Sequence, residues 1–357
     1  MKGAAILIHY RTPELVPRAL EALIADAASS GLDMEYLLVD NGSGPADRAL
    51  WQDLPLRVLE PRRNLGYAGG LNYGVEHTEA EWWVVLNPDV FVRPGCLRAL
   101  HEALSHGADV AGPRFFWDER CTWNLPPTER RRRLDECLAV TAALGGAWAS
   151  RARARWRRHA HHHWTATETT ESFELSGALL AIRREAWDAF GPFDDRYPLY
   201  FEETDYLERL RLSGGRAVFV PQAEAIHLHA RSTVAEPRSE EWFAQSARRF
   251  RQRHYGRLFN ALLEQAGALL PGPVRAAGMS AAWSAEHLAQ TAWIEVSAAP
   301  AGFPAAGALA SGVDLAWLDQ ETAWLRSRLP GAPFTVRLID RSGAELQACQ
   351  IEPGEAG

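Results

Sequence analysis

From residue 4 to residue 112 the chain alternates short, unbroken apolar runs with stretches whose apolar residues recur every three or four positions. The first run, 4–8, predicts a strand. Thr12, Pro13 and Glu14 then supply an N-cap, a proline for the first helical position and an acidic first turn. Leu15, Ala19, Leu20, Leu23 and Ile24 share one face of the helix that follows, which is expected to run to about Ser29 and stop at Gly31. Residues 36–39, 56–59 and 109–112 predict further strands, and helices are expected from the glycines after Asn64 to near Thr78 and over 94–106. The run Trp82-Trp83-Val84-Val85-Leu86 is apolar throughout and is stopped by Asn87-Pro88, predicting a buried central strand that delivers Asp89 at its end. Such alternation predicts an α/β fold, a mostly parallel sheet with helices on both faces.

From 115 to 172 the alternation fails. This span carries Arg130 to Arg133, a second basic cluster from Arg151 to Arg158 and His161-His162-His163, with Trp148, Trp156 and Trp164 interleaved. It predicts helical pieces in a mobile, basic insertion or lid, able to lie against anionic lipid or to grip a diphosphate. Consecutive histidines diverge on a helix, and no carboxylate or cysteine completes a zinc site, so no metal is expected there. Order returns over 173–182 and continues with helices at 184–190 and from the acidic stretch Glu202 to Asp205 to Ser213. Short strands at 218–220 and 225–229 and an amphipathic helix over 236–255 follow. The expected organisation is a domain over 1–256 that includes the insertion, a helical linker over 257–290, and a small α+β appendage over 291–357 with a helix at 313–329.

Composition narrows the classes. With 357 residues, 47% hydrophobic and 23% charged, the chain can bury a full core and is neither disordered nor fibrous. A net charge of −7 argues against a general nucleic-acid surface. Cys96, Cys121, Cys137 and Cys349 lack any CxxC or zinc-like spacing, which suits a reducing compartment. The run at 4–8 is too short for a signal-peptide core and no later run reaches spanning length, so a cytoplasmic protein is expected, at most resting on the inner face of the plasma membrane.

Carboxylates stand where strands are expected to end. Asp40 closes the second strand in Val39-Asp40-Asn41-Gly42-Ser43, and Asp89 closes the central one in Leu86-Asn87-Pro88-Asp89. In open α/β sheets ligands bind outside the carboxyl ends of the strands, although either acid alone is also an ordinary turn or cap residue. Between them lies Asn64-Leu65-Gly66-Tyr67-Ala68-Gly69-Gly70-Leu71-Asn72. Later come Leu175-Ser176-Gly177-Ala178, Gly191-Pro192-Phe193-Asp194, Tyr200-Phe201-Glu202-Glu203-Thr204-Asp205 and His227-Leu228-His229-Ala230-Arg231-Ser232. Taken in this order, the segments resemble the family-2 inverting glycosyltransferases of the GT-A fold, a Rossmann-like architecture, and most of all the subgroup with rhamnosyltransferases of bacterial surface polysaccharides.

The resemblance implies transfer of a sugar from a nucleoside-diphosphate sugar, such as dTDP-rhamnose, to a hydroxyl of a saccharide or lipid-linked saccharide. A hexosyl- or N-acetylhexosaminyltransferase using a UDP-sugar is the nearest alternative. It gives Asp40 to the base or ribose, and Asp89 with His227 to a divalent cation, Mg²⁺ or Mn²⁺. Asp89 is a hard oxygen ligand, and an imidazole nitrogen favours Mn²⁺ somewhat. Asn87 stands where the family often has an acid, which predicts weak metal affinity without nucleotide. Gly66, Gly69 and Gly70 would let backbone approach the donor, with Asn64 beside them, and Arg63 would pair with the diphosphate or stay solvated. The general base falls at Glu203, where the family usually has Asp. Glu202 and Asp205 remain candidates for that role, with Asp205 otherwise given an orienting or structural one. Two rivals are a nucleotidyltransferase, which would need a glycine-rich, lysine-containing loop after the first strand, and a non-catalytic saccharide-binding protein of the same fold.

Overall fold

A computed structural model of the protein describes residues 2–42, 44–51, 53–228, 238–270, 283–299, 301–329 and 333–353. The chain forms two compact units, Met1–Glu119 with Ala166–Asn260, and Arg120–Thr165 with Ala261–Gly357.

The first unit opens with β1 (Gly3–His9), α1 (Val16–Ser30), β2 (Met34–Asp40), α2 (Pro45–Arg48) and β3 (Arg57–Leu59). It continues with α3 (Gly66–Glu76), β4 (Trp82–Leu86), β5 (Val90–Val92), α4 (Cys96–Ser105) and β6 (Val110–Phe116). Two helices, α5 (Arg133–Thr141) and α6 (Gly146–Thr165), belong to the second unit. The first resumes with β7 (Thr170–Glu171), β8 (Leu179–Arg183), α7 (Arg184–Phe190), α8 (Glu202–Leu212), β9 (Ala217–His227) and α9 (Ser239–Tyr255), and α10 (Arg257–Leu269) follows. The sheet order is β3-β2-β1-β4-β8-β6-β9-β5, with β7 against β9.

This sheet is mostly parallel. β8 runs back between β4 and β6, and β5 runs antiparallel to β9. Alternate residues feed opposite faces, as a two-residue period requires. Ala5, Leu7, Val84 and Leu86 pack beneath α1 and α4, while Ala4, Ile6, Trp83 and Val85 pack with α3 and α8. Asp26 of α1 accepts the Gly95 and Leu97 N–H groups at 2.5 and 2.8 Å, capping α4 from a neighbouring helix. The two short strands expected at 218–220 and 225–229 are one strand, β9; its register against β6 shifts at Pro113/Arg114, so the extra residues bulge without ending it.

The second unit adds α11 (Ala285–Gln290), β10 (Trp293–Ser297), β11 (Ala306–Leu309), α12 (Leu315–Arg328), β12 (Phe334–Ile339) and β13 (Glu345–Ile351). Its four strands form an antiparallel sheet in the order β11-β10-β12-β13. Here the organisation differs from the expected one: residues 120–165 fold with the C-terminal sheet, not as an insertion within a 1–256 domain. The reason lies on α6. Trp156, Ala160 and Trp164 recur every four residues and pack on Trp293, Ala305 and Ile339. Arg157 donates to Glu295 through Nε at 2.6 Å and Nη2 at 2.8 Å, both side chains buried. Gly307 leaves the room that Trp164 fills, since a Cβ there would lie 2.2 Å from the indole.

Candidate active site

β1 and β2 end side by side, pairing His9 with Asp40 in register. Both side chains are buried, and His9 Nδ1 lies 3.3 Å from Asp40 Oδ1. The Thr12 N–H donates to His9 Nε2 at 3.0 Å, so the ring proton sits on Nδ1 and is given to the carboxylate. Burial lowers the His9 pKa against the pull of Asp40, which keeps the ring neutral. Asn41 ties the next segment in. Its Oδ1 accepts the Leu65 N–H at 3.2 Å, and its Nδ2 donates to the Gly66 carbonyl at 2.9 Å.

Asn64 Oδ1 accepts the Gly66 N–H at 2.8 Å, and Gly66 has φ +71°, a left-handed turn suited to glycine. Gly70 serves packing: a Cβ there would meet Asn41 Nδ2 at 2.9 Å and Ile8 Cγ2 at 3.1 Å, so α3 lies directly on the sheet. Gly69 faces Leu65 of its own turn, while Arg63 and Asn64 are exposed.

After β4 the chain turns at Asn87-Pro88, with the Asn87 carbonyl accepting the Val90 N–H at 3.1 Å. β5 then pairs with the end of β9, setting Val90 opposite His227. That register brings His227 Nε2 to 3.5 Å from Asp89 Oδ1. Both side chains are buried, Asp89 2% and His227 9% exposed. One carboxylate oxygen and one imidazole nitrogen at this spacing fit a divalent cation that takes its other ligands from water and phosphate. Among the described residues no group of three His, Cys, Asp or Glu side chains gathers to hold a metal alone. His229 and the rest of its motif to Ser232 lie outside the described residues, as does Ser43.

Gly177 and Ala178 join these parts. The Asn87 N–H donates to the Ala178 carbonyl at 3.0 Å, and the Tyr67 hydroxyl donates to the Gly177 carbonyl. Where a side chain would start on Gly177 lies Glu203, its Cβ and Cγ 3.2 Å away. Thus the turn bearing Asp89, the glycine-rich start of α3 and the acidic start of α8 meet at one dipeptide.

The three acids of α8 have separate surroundings. Asp205 is fully buried, bonded to Tyr197 Oη at 3.2 Å, Arg209 Nε at 3.0 Å and His254 Nε2 at 2.8 Å, with Arg253 Nε at 3.3 Å. Burial raises its pKa, but these donors outweigh that and hold it below the ordinary carboxyl value. Glu202 is buried with Oε2 unpartnered; burial first, then the charge of Glu203, pushes its pKa well up. Glu203 is half-buried. Tyr200 and Phe201, just before the helix, have φ +65° and +68°, a strained conformation for non-glycine residues. Phe201 is held by Phe243 and Phe250 of α9, and Ser246 donates to the Leu199 carbonyl at 2.7 Å.

Residues 4–189 match the family model described as glycosyl transferase family 2. The chain belongs to this family. The transferase is 31% identical over 229 residues to an N-acetylglucosaminyl-diphospho-decaprenol L-rhamnosyltransferase of Mycobacterium tuberculosis, covering 58% of this chain and 70% of the relative. It is 31% identical over 116 residues to the succinoglycan biosynthesis protein ExoO of Rhizobium meliloti (32% of this chain, 31% of the relative). It is 23% identical over 229 residues to the low-salt glycan biosynthesis hexosyltransferase Agl10 of Haloferax volcanii (62% and 66%). The GT-A fold expected from the resemblance is that of the transferase. Among its described residues no helix is long and apolar enough to cross a membrane.

Three features of this transferase escaped the sequence. His9 looked like the loop after a strand, yet it is the buried partner of Asp40. Tyr67 stood in a motif with no role attached to it. The anchoring of Asp205 by Arg253 and His254 comes from an amphipathic helix 48 and 49 residues further on, as 253 and 254 less 205, with no motif to mark it.

Proposed function

We propose that the transferase is an inverting enzyme that moves a sugar, rhamnose in the first instance, from a nucleoside diphosphate to a hydroxyl of a saccharide or lipid-linked saccharide. The observation that carries this is the meeting at Gly177-Ala178, which gathers a donor-side turn and an acceptor-side carboxylate at the strand ends. Asp40, oriented by His9, accepts from a pyrimidine N–H or ribose hydroxyl. The N–H groups of the first turn of α3 beyond Leu65 and Gly66, which Asn41 and Asn64 already hold, face the donor's phosphate or sugar oxygens. Asp89 and His227 would hold a divalent cation, which when bound supplies charge compensation for the departing diphosphate. Glu203 removes the proton of the acceptor hydroxyl on the face opposite the leaving group, the position an inverting displacement requires. The mycobacterial relative supports rhamnose and a lipid-linked acceptor by its printed name; the hexosyltransferase relative supports hexose transfer as the second reading, for which the family resemblance implies a UDP-sugar donor.

The test is release of nucleoside diphosphate from a panel of sugar nucleotides with Mn²⁺, with and without a chelator. dTDP-rhamnose is expected to be turned over fastest, and chelation to suppress it. Turnover of a UDP-hexose alone would replace the donor assignment, and chelator-resistant turnover would remove the metal from it.

A further inference from the structure

One guanidinium on α9 meets carboxylates at both ends of the segment that carries Glu203. Arg253 donates through Nη1 to Asp194 Oδ2 at 2.7 Å, and its Nε lies 3.3 Å from Asp205 Oδ1. The two acids are fixed to different parts of the site. Phe193, next to Asp194, exchanges two hydrogen bonds with the Asn72 side chain of α3: its N–H donates to Oδ1 at 3.1 Å, and its carbonyl accepts from Nδ2 at 2.9 Å. Asp194 is thereby tied to the helix whose glycine-rich start is assigned to the donor. Asp205 stands in the first turn of α8, just after Glu203.

Between these ends Tyr200 and Phe201 hold positive φ, a conformation that persists only where the surroundings enforce it. α9 supplies part of that enforcement through Phe250 and Ser246, and Arg253 closes the segment by joining its two ends. Loss of Arg253 would orphan neither acid. Asp205 keeps Tyr197, Arg209 and His254, and Asp194 keeps Arg196 Nε and Nη2 at 2.8 Å and Arg249 Nη2 at 3.2 Å. The Arg253 side chain is also 36% exposed, where an ion pair adds little stability. What it supplies is the link between two acids that other donors already satisfy.

We infer that Arg253 is a positioning residue for transfer: by tying Asp194 to Asp205 it sets the distance between the donor-side start of α3 and the Glu203 carboxylate. This rests on the assignment of Glu203 as general base. A misplacement of about 1 Å at a reacting group costs about a hundredfold in rate. Slack in this link should therefore appear in the chemical step, while donor binding, made by other residues, holds.

Two variants of the full chain test it. Arg253→Met keeps most of the stem and loses both bonds, and Arg253→Lys keeps a cation that can face the two carboxylates. The readout is nucleoside diphosphate release from the sugar nucleotide of the panel that is turned over fastest. Arg253→Met should lower kcat about ten- to hundredfold, with donor KM within about twofold and Tm lower by no more than about 4 °C. Arg253→Lys should recover most of that loss. In a Glu203→Gln background Arg253→Met should cost less than about threefold, because the group it places has lost its basicity; a general loosening of the fold would cost the full factor again. Unchanged kcat in Arg253→Met, a loss carried by donor KM or by a Tm fall well beyond that bound, Arg253→Lys no better than Arg253→Met, or losses that multiply on an impaired Glu203→Gln enzyme would each overturn the positioning role alone. Full turnover by Glu203→Gln itself would refute the base assignment and this inference with it.

Discussion

Replacing Asp205 by Asn removes a negative charge from a buried cluster on which Tyr197, Arg209, Arg253 and His254 converge. The amide oxygen can keep one or two of these donors, but its NH₂ must face another donor, most directly Arg209 at 3.0 Å. Breaking a buried charge pair from one side costs about 3–5 kcal/mol, and the retained oxygen puts this case near the lower end, about 3 kcal/mol. At 2–4 °C per kcal/mol for a unit of this size, Tm should fall by roughly 6–12 °C. The pH dependence has a definite sign. The native pKa of Asp205 is depressed, so its stabilisation is present above the unfolded value of about 3.9 and is lost as pH falls through the lower native value. The deficit of Asp205→Asn should therefore be full at neutral pH and shrink below about pH 4. Thermal melts across pH, with turnover at permissive temperature, check this. An Asp205→Asn variant with unchanged Tm but almost no turnover would refute the structural role and make Asp205 the chemical group.

Glu202→Gln should leave stability unchanged or raise it by about 1 kcal/mol at pH 8, because the native carboxyl holds its proton above the usual range and loses stability as pH rises toward its raised pKa; melts at pH 5 and pH 8 read the difference. Gly177→Ala would push a methyl to within 3.2 Å of the Glu203 Cβ and Cγ, so turnover should drop about tenfold or more while donor KM holds, measured by steady-state kinetics. Limited proteolysis of the free protein should spare α6, whose Trp156, Arg157 and Trp164 are buried; early cuts inside 156–164 would restore the picture of a loosely held lid.

How far the sequence carried can be judged residue by residue. β4 and its terminal Asp89 were legible because an apolar run ended by Asn-Pro has few other solutions, and α12, Leu315–Arg328, falls within the helix expected at 313–329. The proximity of His227 to Asp89 depended on the resemblance, since pairing β5 with β9 joins segments more than a hundred residues apart, which no local pattern encodes. α6 was misjudged because its arginines and histidines dominate the composition. The four-residue spacing of Ala152, Trp156, Ala160 and Trp164 was the available signal, and all four are buried. Arg157 could not be foreseen as a core residue, because its partner Glu295 is supplied by a distant strand.

The central claim is that Glu203 takes the acceptor's proton at a site whose donor side is built by other residues. Turnover of Glu203→Gln at saturating donor tests it most directly, because Gln keeps the size and the packing against Gly177 while losing basicity. The account predicts a fall in kcat of about 10² to 10⁴ with donor KM and Tm nearly unchanged. A folded Glu203→Gln enzyme that keeps most of its turnover would contradict it.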